Sequence, residues 1–274
     1  MGGIELLKAL LVGIVQGITE WLPVSSTGHM ILLDSFLKLE GGDAFKGLFL
    51  VALHLGSLFA VMGVFLRRFR SSVLDRGAVG RQNRRLLLHA LVGCLPAGIA
   101  GVFLEDQLEA LFYNPRSVSL VLLLYGVVFV LMERLRRARV PRLNNTEELS
   151  LLDALLIGLF QVLALVPGTS RSGATILGAT LLGVGRSAAA EFSFLMALPL
   201  MAGATLFECR GLVATGISLT FAEMGALAVG MLAAFLVSRV AVGFLLDFVR
   251  KHSFEVFGWY RIFLSVVLLL YTLF

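Results

Sequence analysis

The chain has 274 residues, of which 58% are hydrophobic and 15% are charged, and its formal net charge is +5. Its mean hydropathy of +0.92 excludes a soluble globule, so the composition predicts an integral membrane protein with lipids around it. The excess of positive charge follows from membrane topology and from contact with anionic lipids, and it does not call for a nucleic-acid partner.

Six apolar segments have about the 20 residues that a membrane-spanning helix needs. They cover residues 45–66, 86–104, 117–133, 188–208, 221–243 and 255–274. Two further apolar regions, 4–37 and 150–184, are each interrupted near the middle by Pro, Gly, Ser and Thr, which predicts paired half-helices. The first of these regions lacks the basic start of a signal peptide, so we expect it to be retained.

Arginine-rich loops indicate the orientation of the spans. Seven arginines follow the first span at 67–85 and five follow the third at 134–142. Lys and Arg gather in cytoplasmic loops, so both loops are expected inside and the acidic segments between the spans outside. The region 4–37 then enters and leaves the membrane on the outer face, and the region 150–184 does so on the inner face.

Two similar stretches predict an internal repeat. "GIVQGITEWLPVSSTGHMI" at 13–31 and "GLFQVLALVPGTSRSGATI" at 158–176 share a Gly-x-x-Gln start, a proline and a hydroxyl-rich turn. Three spans follow each stretch, and an odd number of spans inverts the second copy. We therefore predict an all-α membrane protein with inverted repeats at 1–140 and 148–274, six transmembrane helices and two re-entrant helical hairpins that meet near the midplane. The alternative is coincidence between two Gly- and Ser-interrupted helices.

Polar side chains concentrate in the two interrupted regions, where an irregular backbone must be buried in protein or line a cavity. Gln16 and Glu20 are four residues apart and share a helix face. The first turn then carries Ser25, Ser26, Thr27 and His29, and the second carries Thr169, Ser170, Arg171, Ser172 and Gly173.

These groups together predict a phosphate site with a reaction centre. Arg171 offers bidentate hydrogen bonds to phosphate oxygens, and hydroxyls and helix N-terminal amides add donors. Ser26 could attack phosphorus if His29 or Glu20 takes its proton. The alternative for the hydroxyl residues is a bond to the backbone of their own turn.

Other polar residues within the apolar segments carry weaker signals. His54 and Glu191 are candidates for lining the same cavity, because ionisable groups inside membranes are costly without a function or a partner. Arg261 lies near a predicted span end and is expected to extend toward the headgroups. Tyr260 is expected in an interfacial aromatic belt.

The stretches "QGITEWLPVSSTGHMIL", "PGTSRSGATI" and "EFSFLMALP" closely resemble the undecaprenyl-diphosphate phosphatases of the bacitracin-resistance type. The resemblance extends over essentially the whole chain. It implies hydrolysis of undecaprenyl diphosphate to undecaprenyl phosphate in a bacterial plasma membrane, an inverted-repeat fold and a divalent cation such as Mg²⁺ or Ca²⁺. Many relatives have Glu where this chain has Gln16, so a metal site formed by Gln16 and Glu20 stays in question.

The resemblance and the residues together favour one mechanism. Arg171, Ser170 and the turn amides hold the diphosphate, Ser26 attacks the terminal phosphorus, His29 manages protons and Glu20 orients or activates. His29 as the nucleophile and direct attack by water remain open alternatives. The site is expected to open to the extracytoplasmic side, and a homodimer is one of the assembly states left open.

A rival interpretation is a transporter or flippase of a phosphorylated lipid or anion. Inverted repeats with broken helices are the usual architecture of secondary transporters, and an arginine beside helix N-termini suits a phosphorylated cargo equally well. An enzyme is favoured because a carrier would not need a nucleophile beside His and Glu.

Overall fold

The chain is almost entirely helical in a computed structural model that describes residues 3–136, 139–214 and 219–273. The described residues form ten α-helices, two short 3₁₀ helices and no β-strand. The α-helices are α1 (Gly3–Thr19), α2 (Ser26–Leu37), α3 (Asp43–Leu74), α4 (Ala78–Phe112), α5 (Pro115–Arg136), α6 (Leu151–Val162), α7 (Arg171–Leu181), α8 (Arg186–Ala214), α9 (Phe221–Lys251) and α10 (Glu255–Tyr271).

Among the described residues, five helices are long and apolar enough to cross a bilayer by length and composition: α3, α4, α5, α8 over Arg186–Arg210, and α9. They contain the first five predicted spans, and several extend further because arginine-rich sequence is also favourable in helices. The sixth predicted span forms α10, which has 17 residues, fewer than the about 20 that a span needs. The protein is therefore a multi-pass helical membrane protein.

Both interrupted regions form two short helices separated by an irregular segment. Helix α1 ends at Thr19, four residues before Pro23, and α2 begins at Ser26. In the second region, α6 continues into a 3₁₀ turn at Leu163–Leu165, and α7 begins at Arg171. Proline restricts the residue before it and cannot continue the hydrogen-bond ladder, which explains why the breaks fall at these positions.

Glycines allow the first helix of each region to pack closely on a long helix. A Cβ atom on Gly13 of α1 would lie 2.4 Å from the carbonyl oxygen of Gly230 in α9, and one on Gly158 of α6 would lie 2.1 Å from that of Gly93 in α4. The backbones are therefore in direct contact at these crossings, as is common between membrane helices. Helices α5 and α10 form a third close pair.

Helix α8 lies at the centre of the main hydrophobic core. It packs on α3, α4, α7 and α9, and its residues Phe192 and Phe194 are fully buried. Trp21, from the irregular segment after α1, is also fully buried and meets Phe194 edge to face at 5.5 Å between ring centroids. The first irregular segment is thus anchored in the core that α8 organises.

Candidate active site

Glu20 is the point at which the two interrupted regions meet. Its Oε2 atom accepts hydrogen bonds from Gln16 Nε2 at 3.1 Å and from Ser26 Oγ at 3.2 Å, and its Oε1 atom accepts one from Arg171 Nη2 at 3.1 Å. The side chains of Glu20 and Arg171 are each only 11% exposed. A buried carboxylate and a guanidinium 151 residues apart in sequence therefore neutralise each other. Burial of either charge without the other would strongly destabilise the protein.

Arg171 has further contacts that fix its position. Its guanidinium lies over the Trp21 ring at 5.0 Å from the centroid, a favourable arrangement for a cation and an aromatic face. Nη1 donates to the carbonyl oxygen of Ser193 at 3.5 Å, and Nη2 also approaches Met201 Sδ at 3.6 Å. The planar group is held by α8 and by the first irregular segment.

The two turns have nearly the same local geometry. Ser25 precedes α2 with φ 71°, and Ser170 precedes α7 with φ 70°. Each side chain caps its helix, Ser25 by accepting from the Gly28 amide and Ser170 by accepting from the Gly173 amide. Positive φ is unfavourable for a residue with a Cβ atom, so the same costly conformation is built twice and places two helix N-termini at the site.

The remaining residues predicted in the turns are also found there. Ser172 Oγ donates to the carbonyl oxygen of Leu22 at 3.3 Å and lies 3.1 Å from Ser170 Oγ. Thr169 is fully buried, and Thr27 lines a cavity beside Ser26. The bond from Ser172 to Leu22 is a second direct link between the two irregular segments.

His29 contacts Tyr260 and not Ser26, whose proton it was a candidate to take. Its Nδ1 atom lies 2.7 Å from the carbonyl oxygen of Ser25, and its Nε2 atom lies 2.7 Å from the hydroxyl oxygen of Tyr260. A carbonyl only accepts, so Nδ1 carries a hydrogen, and in the neutral ring Nε2 accepts from Tyr260. Both ring nitrogens are therefore engaged away from Glu20, and the hydroxyl of Ser26 is bonded to the carboxylate instead.

Tyr260 and Arg261 of α10 were missed as site residues. The expectation that Arg261 extends to the headgroups is wrong: the side chain is fully buried, and Nη2 donates to the carbonyl oxygens of Gly168, at 3.2 Å, and Thr169. Neighbouring residues of one helix thus hold both halves of the site, Tyr260 through His29 and Arg261 through the second turn. The only available signal was the intramembrane charge of Arg261 itself.

A cavity of about 600 Å³ adjoins the site. Gln16, Ser26 and Thr27 line it, and so does His54, as its position in the sequence predicted. Three acidic residues from the segments predicted to lie outside also line the cavity: Glu105, Glu109 and Glu208. The expectation for Glu191 is wrong, because this residue forms an ion pair with Arg68 and is not among the cavity-lining side chains.

The donor set around Glu20 is limited for a metal ion. Among the described residues, no group of three or more His, Cys, Asp and Glu side chains could hold one. Glu20 and Gln16 offer one carboxylate and one amide beside the cavity. Mg²⁺ is often bound through one or two carboxylates together with substrate phosphates and water, so these two residues fit a cation that phosphate oxygens also coordinate.

Fold and site together define a multi-pass helical membrane protein with a buried ionic centre between two broken helices. Comparison with known families identifies which one. Residues 9–267 match the family model described as "Bacitracin resistance protein BacA", which is nearly the whole chain. The chain belongs to this family.

Several curated relatives are similar over nearly their full length. An undecaprenyl-diphosphatase from Desulfitobacterium hafniense is 43% identical over 99% of this chain and 97% of its own. One from Enterococcus faecalis is 44% identical over 98% of each chain. Undecaprenyl-diphosphatase 1 from Clostridium acetobutylicum is 43% identical over 100% of this chain and 99% of its own.

Proposed function

We propose that the protein hydrolyses undecaprenyl diphosphate to undecaprenyl phosphate and inorganic phosphate. The reaction recycles the lipid carrier of cell-wall synthesis and confers resistance to bacitracin. The observation that carries the proposal is the contact of Glu20 with both Ser26 and Arg171, which joins a nucleophile, a base and a phosphate-binding cation. Family membership and the names of the relatives support the same substrate.

Arg171 and the second turn bind the diphosphate in this proposal. Its guanidinium fork matches two phosphate oxygens, and the N-terminus of α7 directs amides toward negative charge. The donors assigned to the substrate are the hydroxyls and amides of both turns, from Ser25, Thr27, Thr169, Ser170, Ser172 and Gly173. Because Arg171 is bonded to Glu20, phosphate must compete with that carboxylate for the guanidinium.

Ser26 is the proposed nucleophile. As its Oγ forms a bond to the terminal phosphorus, its proton passes to Glu20, and the bond to the bridging oxygen breaks with undecaprenyl phosphate leaving. Water then attacks the phosphorus of the phosphoserine, the bond to Ser26 Oγ breaks as Glu20 returns the proton to that oxygen, and inorganic phosphate is released. The hydrogen bond from Ser26 to Glu20 supports this assignment of the base. His29 is assigned to proton exchange through Tyr260, and its role as nucleophile would require loss of one of its two ring contacts.

A divalent cation, Mg²⁺ or Ca²⁺, is part of the proposal. Glu20 and Gln16 would hold it, and it would neutralise negative charge on the phosphate oxygens. Gln16 Nε2 donates to Glu20, which leaves the amide oxygen of Gln16 as the atom available to a cation.

We also propose the inverted-repeat topology with six spans and two re-entrant hairpins. It is supported by the matched capping of Ser25 and Ser170 and by an exchange of partners: α1 packs on α9, and α6 packs on α4. In this arrangement α10 is the sixth span and the two turns meet near the midplane. The repeats are 1–140 and 148–274.

The plasma membrane of a bacterium is the proposed location, with the site open to the extracytoplasmic side. The acidic residues that line the cavity beside Ser26 support this orientation, because they come from the segments that the arginine distribution assigns to the outside. Apolar residues of the same cavity, among them Met30, Leu50 and Val51, would contact the prenyl tail.

Phosphate release from undecaprenyl diphosphate by the purified protein tests the proposal. We expect release by the natural chain and almost none by Ser26→Ala, with Ser35→Ala as a control on the same helix, where the hydroxyl donates only to the carbonyl oxygen of Leu32. A chain that binds the lipid but releases no phosphate would contradict the proposed hydrolysis.

A further inference from the structure

A second cavity, of about 290 Å³, lies at the other end of α8 from the candidate active site. Ser187 lines this cavity and Glu208 lines the larger one, and their separation of 21 positions corresponds to about 31 Å along a helix. The arginine distribution assigns this end to the cytoplasm. The two cavities therefore belong to opposite faces of the membrane, and the proposed reaction does not use the smaller one.

Among the described residues, four guanidinium groups line this smaller cavity. They belong to Arg136, Arg139, Arg186 and Arg250, and Glu133 is the single acidic side chain among the described residues that line it. Arg250 also meets Asp247 at 3.4 Å, but both side chains are largely exposed, so that pair contributes little. The cavity has a clear surplus of positive charge.

Glu133 cannot neutralise this surplus, because its oxygens are already taken. Arg186 donates to it through both Nε, at 3.0 Å, and Nη2, at 2.5 Å, and the backbone amide of Phe254 donates at 3.0 Å. The carboxylate is buried at the junction of α5, α8 and α10 and has a structural role. No second acidic side chain among the described cavity-lining residues balances the charges of Arg136, Arg139 and Arg250. These charges can therefore attract an anion.

Two residues that line the cavity each have a buried polar atom with no hydrogen-bond partner among the described residues. One is the hydroxyl of Thr180, whose residue is only 5% exposed, and the other is Nη1 of Arg136. Helical threonines usually satisfy their hydroxyl on the preceding turn, and unmatched buried polar groups are rare in native proteins. Each of these two residues therefore has an unused hydrogen-bond donor beside the cavity.

The first turn of α8 completes the wall. Arg186 and Ser187 line the cavity, together with the preceding Gly185, whose amide already donates to the carbonyl oxygen of Leu143. The first amides of a helix have no partner within it. The positive end of the helix dipole therefore adds to the arginine charge. Amides, guanidinium groups and a hydroxyl are the donors that phosphoryl oxygens accept from.

We propose that this cavity binds a phosphoryl anion at the cytoplasmic face, carried either by the headgroup of an anionic phospholipid or by free inorganic phosphate. The volume of about 290 Å³ is at the lower limit for small-molecule sites, so it holds the phosphoryl group and leaves acyl chains in the bilayer. The site is independent of the proposed hydrolysis.

Native mass spectrometry of the purified chain with phosphatidylglycerol tests the lipid arm, with phosphatidylcholine as a lipid without net charge. Inorganic phosphate tests the other arm through the shift of the melting temperature against chloride at equal ionic strength. Because phosphate is also a product of the proposed reaction, that arm uses Arg171→Ala protein, whose candidate active site lacks its cation.

Two variants and one control separate a built site from a general attraction to positive charge. Arg136→Gln should weaken binding of the anion roughly tenfold, as expected for a lost charged hydrogen bond, and Thr180→Val about threefold without any change of charge. Arg85→Gln removes an exposed arginine on the same predicted face and should leave binding unchanged. The melting temperature of each variant checks that it is folded.

Tight binding of phosphatidylglycerol alone identifies the headgroup as the ligand, and a phosphate-specific rise of the melting temperature identifies the free anion. Either result supports the site if the substitutions Arg136→Gln and Thr180→Val weaken the binding that is measured. The proposal is overturned if neither probe binds, or if both variants bind as well as Arg85→Gln does.

Discussion

Glu20 makes two sets of contacts through different oxygens. One oxygen accepts from Ser26 and Gln16 and the other accepts from Arg171. In the proposed reaction the first oxygen receives a proton while the second releases the guanidinium to phosphate. A neutral amide could accept some of these hydrogen bonds, but it could not take the proton or balance the charge.

Substitutions at Glu20 and Gln16 should therefore have unequal effects. Glu20→Gln should lower kcat by about 100-fold or more, as expected when a general base and a charge partner are lost together. Gln16→Glu should stay active but depend more steeply on Mg²⁺, because two carboxylates would then lie at hydrogen-bonding distance and require a cation or a shared proton. Steady-state phosphate release over a range of Mg²⁺ concentrations measures both effects. Equal tolerance of the two changes would exclude Glu20 from the chemistry.

Tyr260 offers a test of how His29 acts. Tyr260→Phe keeps the ring that stacks on His29, with centroids 5.6 Å apart, and removes only the hydroxyl. A lost neutral hydrogen bond corresponds to about 1 kcal/mol, so we expect kcat to fall roughly fivefold with KM nearly unchanged. The pH profile of kcat should change shape, since the ring nitrogen loses its partner. Trp259→Phe, at the exposed neighbouring position, is the matched control, and an equal loss there would contradict a specific role for the hydroxyl.

Sequence reasoning found the motif residues of the site but not their exact partners. Glu20, Ser26 and Arg171 come together as the two-turn pattern indicated. The partner of His29 could not be found, because Tyr260 lies 231 residues away in a helix with no motif of its own. Helical periodicity gives the apolar face of a helix but not the residue that it meets on another helix.

At the scale of elements, the two broken helices depend on an unfavourable backbone at one residue each. Ser25 and Ser170 adopt positive φ and also cap the following helix. Glycine tolerates this conformation, but it lacks the capping hydroxyl. The sequence located both breaks from proline, glycine and hydroxyl residues, whereas the values of φ depend on the packing of the neighbouring helices.

Replacing Ser170 separates the two contributions. Ser170→Ala loses the cap and keeps the backbone strain, so it should lower the free energy of unfolding by about 1 kcal/mol. Ser170→Gly should cost only a few tenths of a kcal/mol, because relief of the strain offsets most of the lost cap. Thermal unfolding in detergent compares the two proteins. A glycine variant that is less stable than the alanine variant would show that φ at this residue carries no strain.

At the scale of the whole molecule, the arginine-rich loops predict which ends of the helices face the cytoplasm. In a background without Cys94 and Cys209, single cysteines at Arg76 and Asn144 should be protected from an impermeant reagent in intact cells. Cysteines at Gly42 and Asn114 should react. Labelling after permeabilisation is the control that all four positions are accessible. The opposite pattern would contradict both the orientation and the outward-opening site.

Helix α1 packs on α9 and helix α6 packs on α4, and this exchange of partners between the two halves of the chain predicts a single shared site. Arg171 meets Glu20 across 151 residues of sequence, so a lesion in either half should disable the same step. Arg171→Lys keeps the charge but not the bidentate geometry, so we expect a severe loss of phosphate release. Arg171→Ala should lower kcat about 100-fold or more.

Combining changes from the two halves tests whether they act as one unit. Ser26→Ala with Arg171→Ala should cost much less than the two single effects multiplied, because residues that stabilise one transition state are not additive. Ser35→Ala with Arg171→Ala is the matched pair, and its effects should multiply because Ser35 bonds only within α2. The measurement is kcat for phosphate release, with KM followed separately so that lost binding is distinguished from lost chemistry. Multiplicative effects of Ser26→Ala and Arg171→Ala would mean that the two turns contribute to different steps, and the ionic contact through Glu20 would then serve folding rather than catalysis.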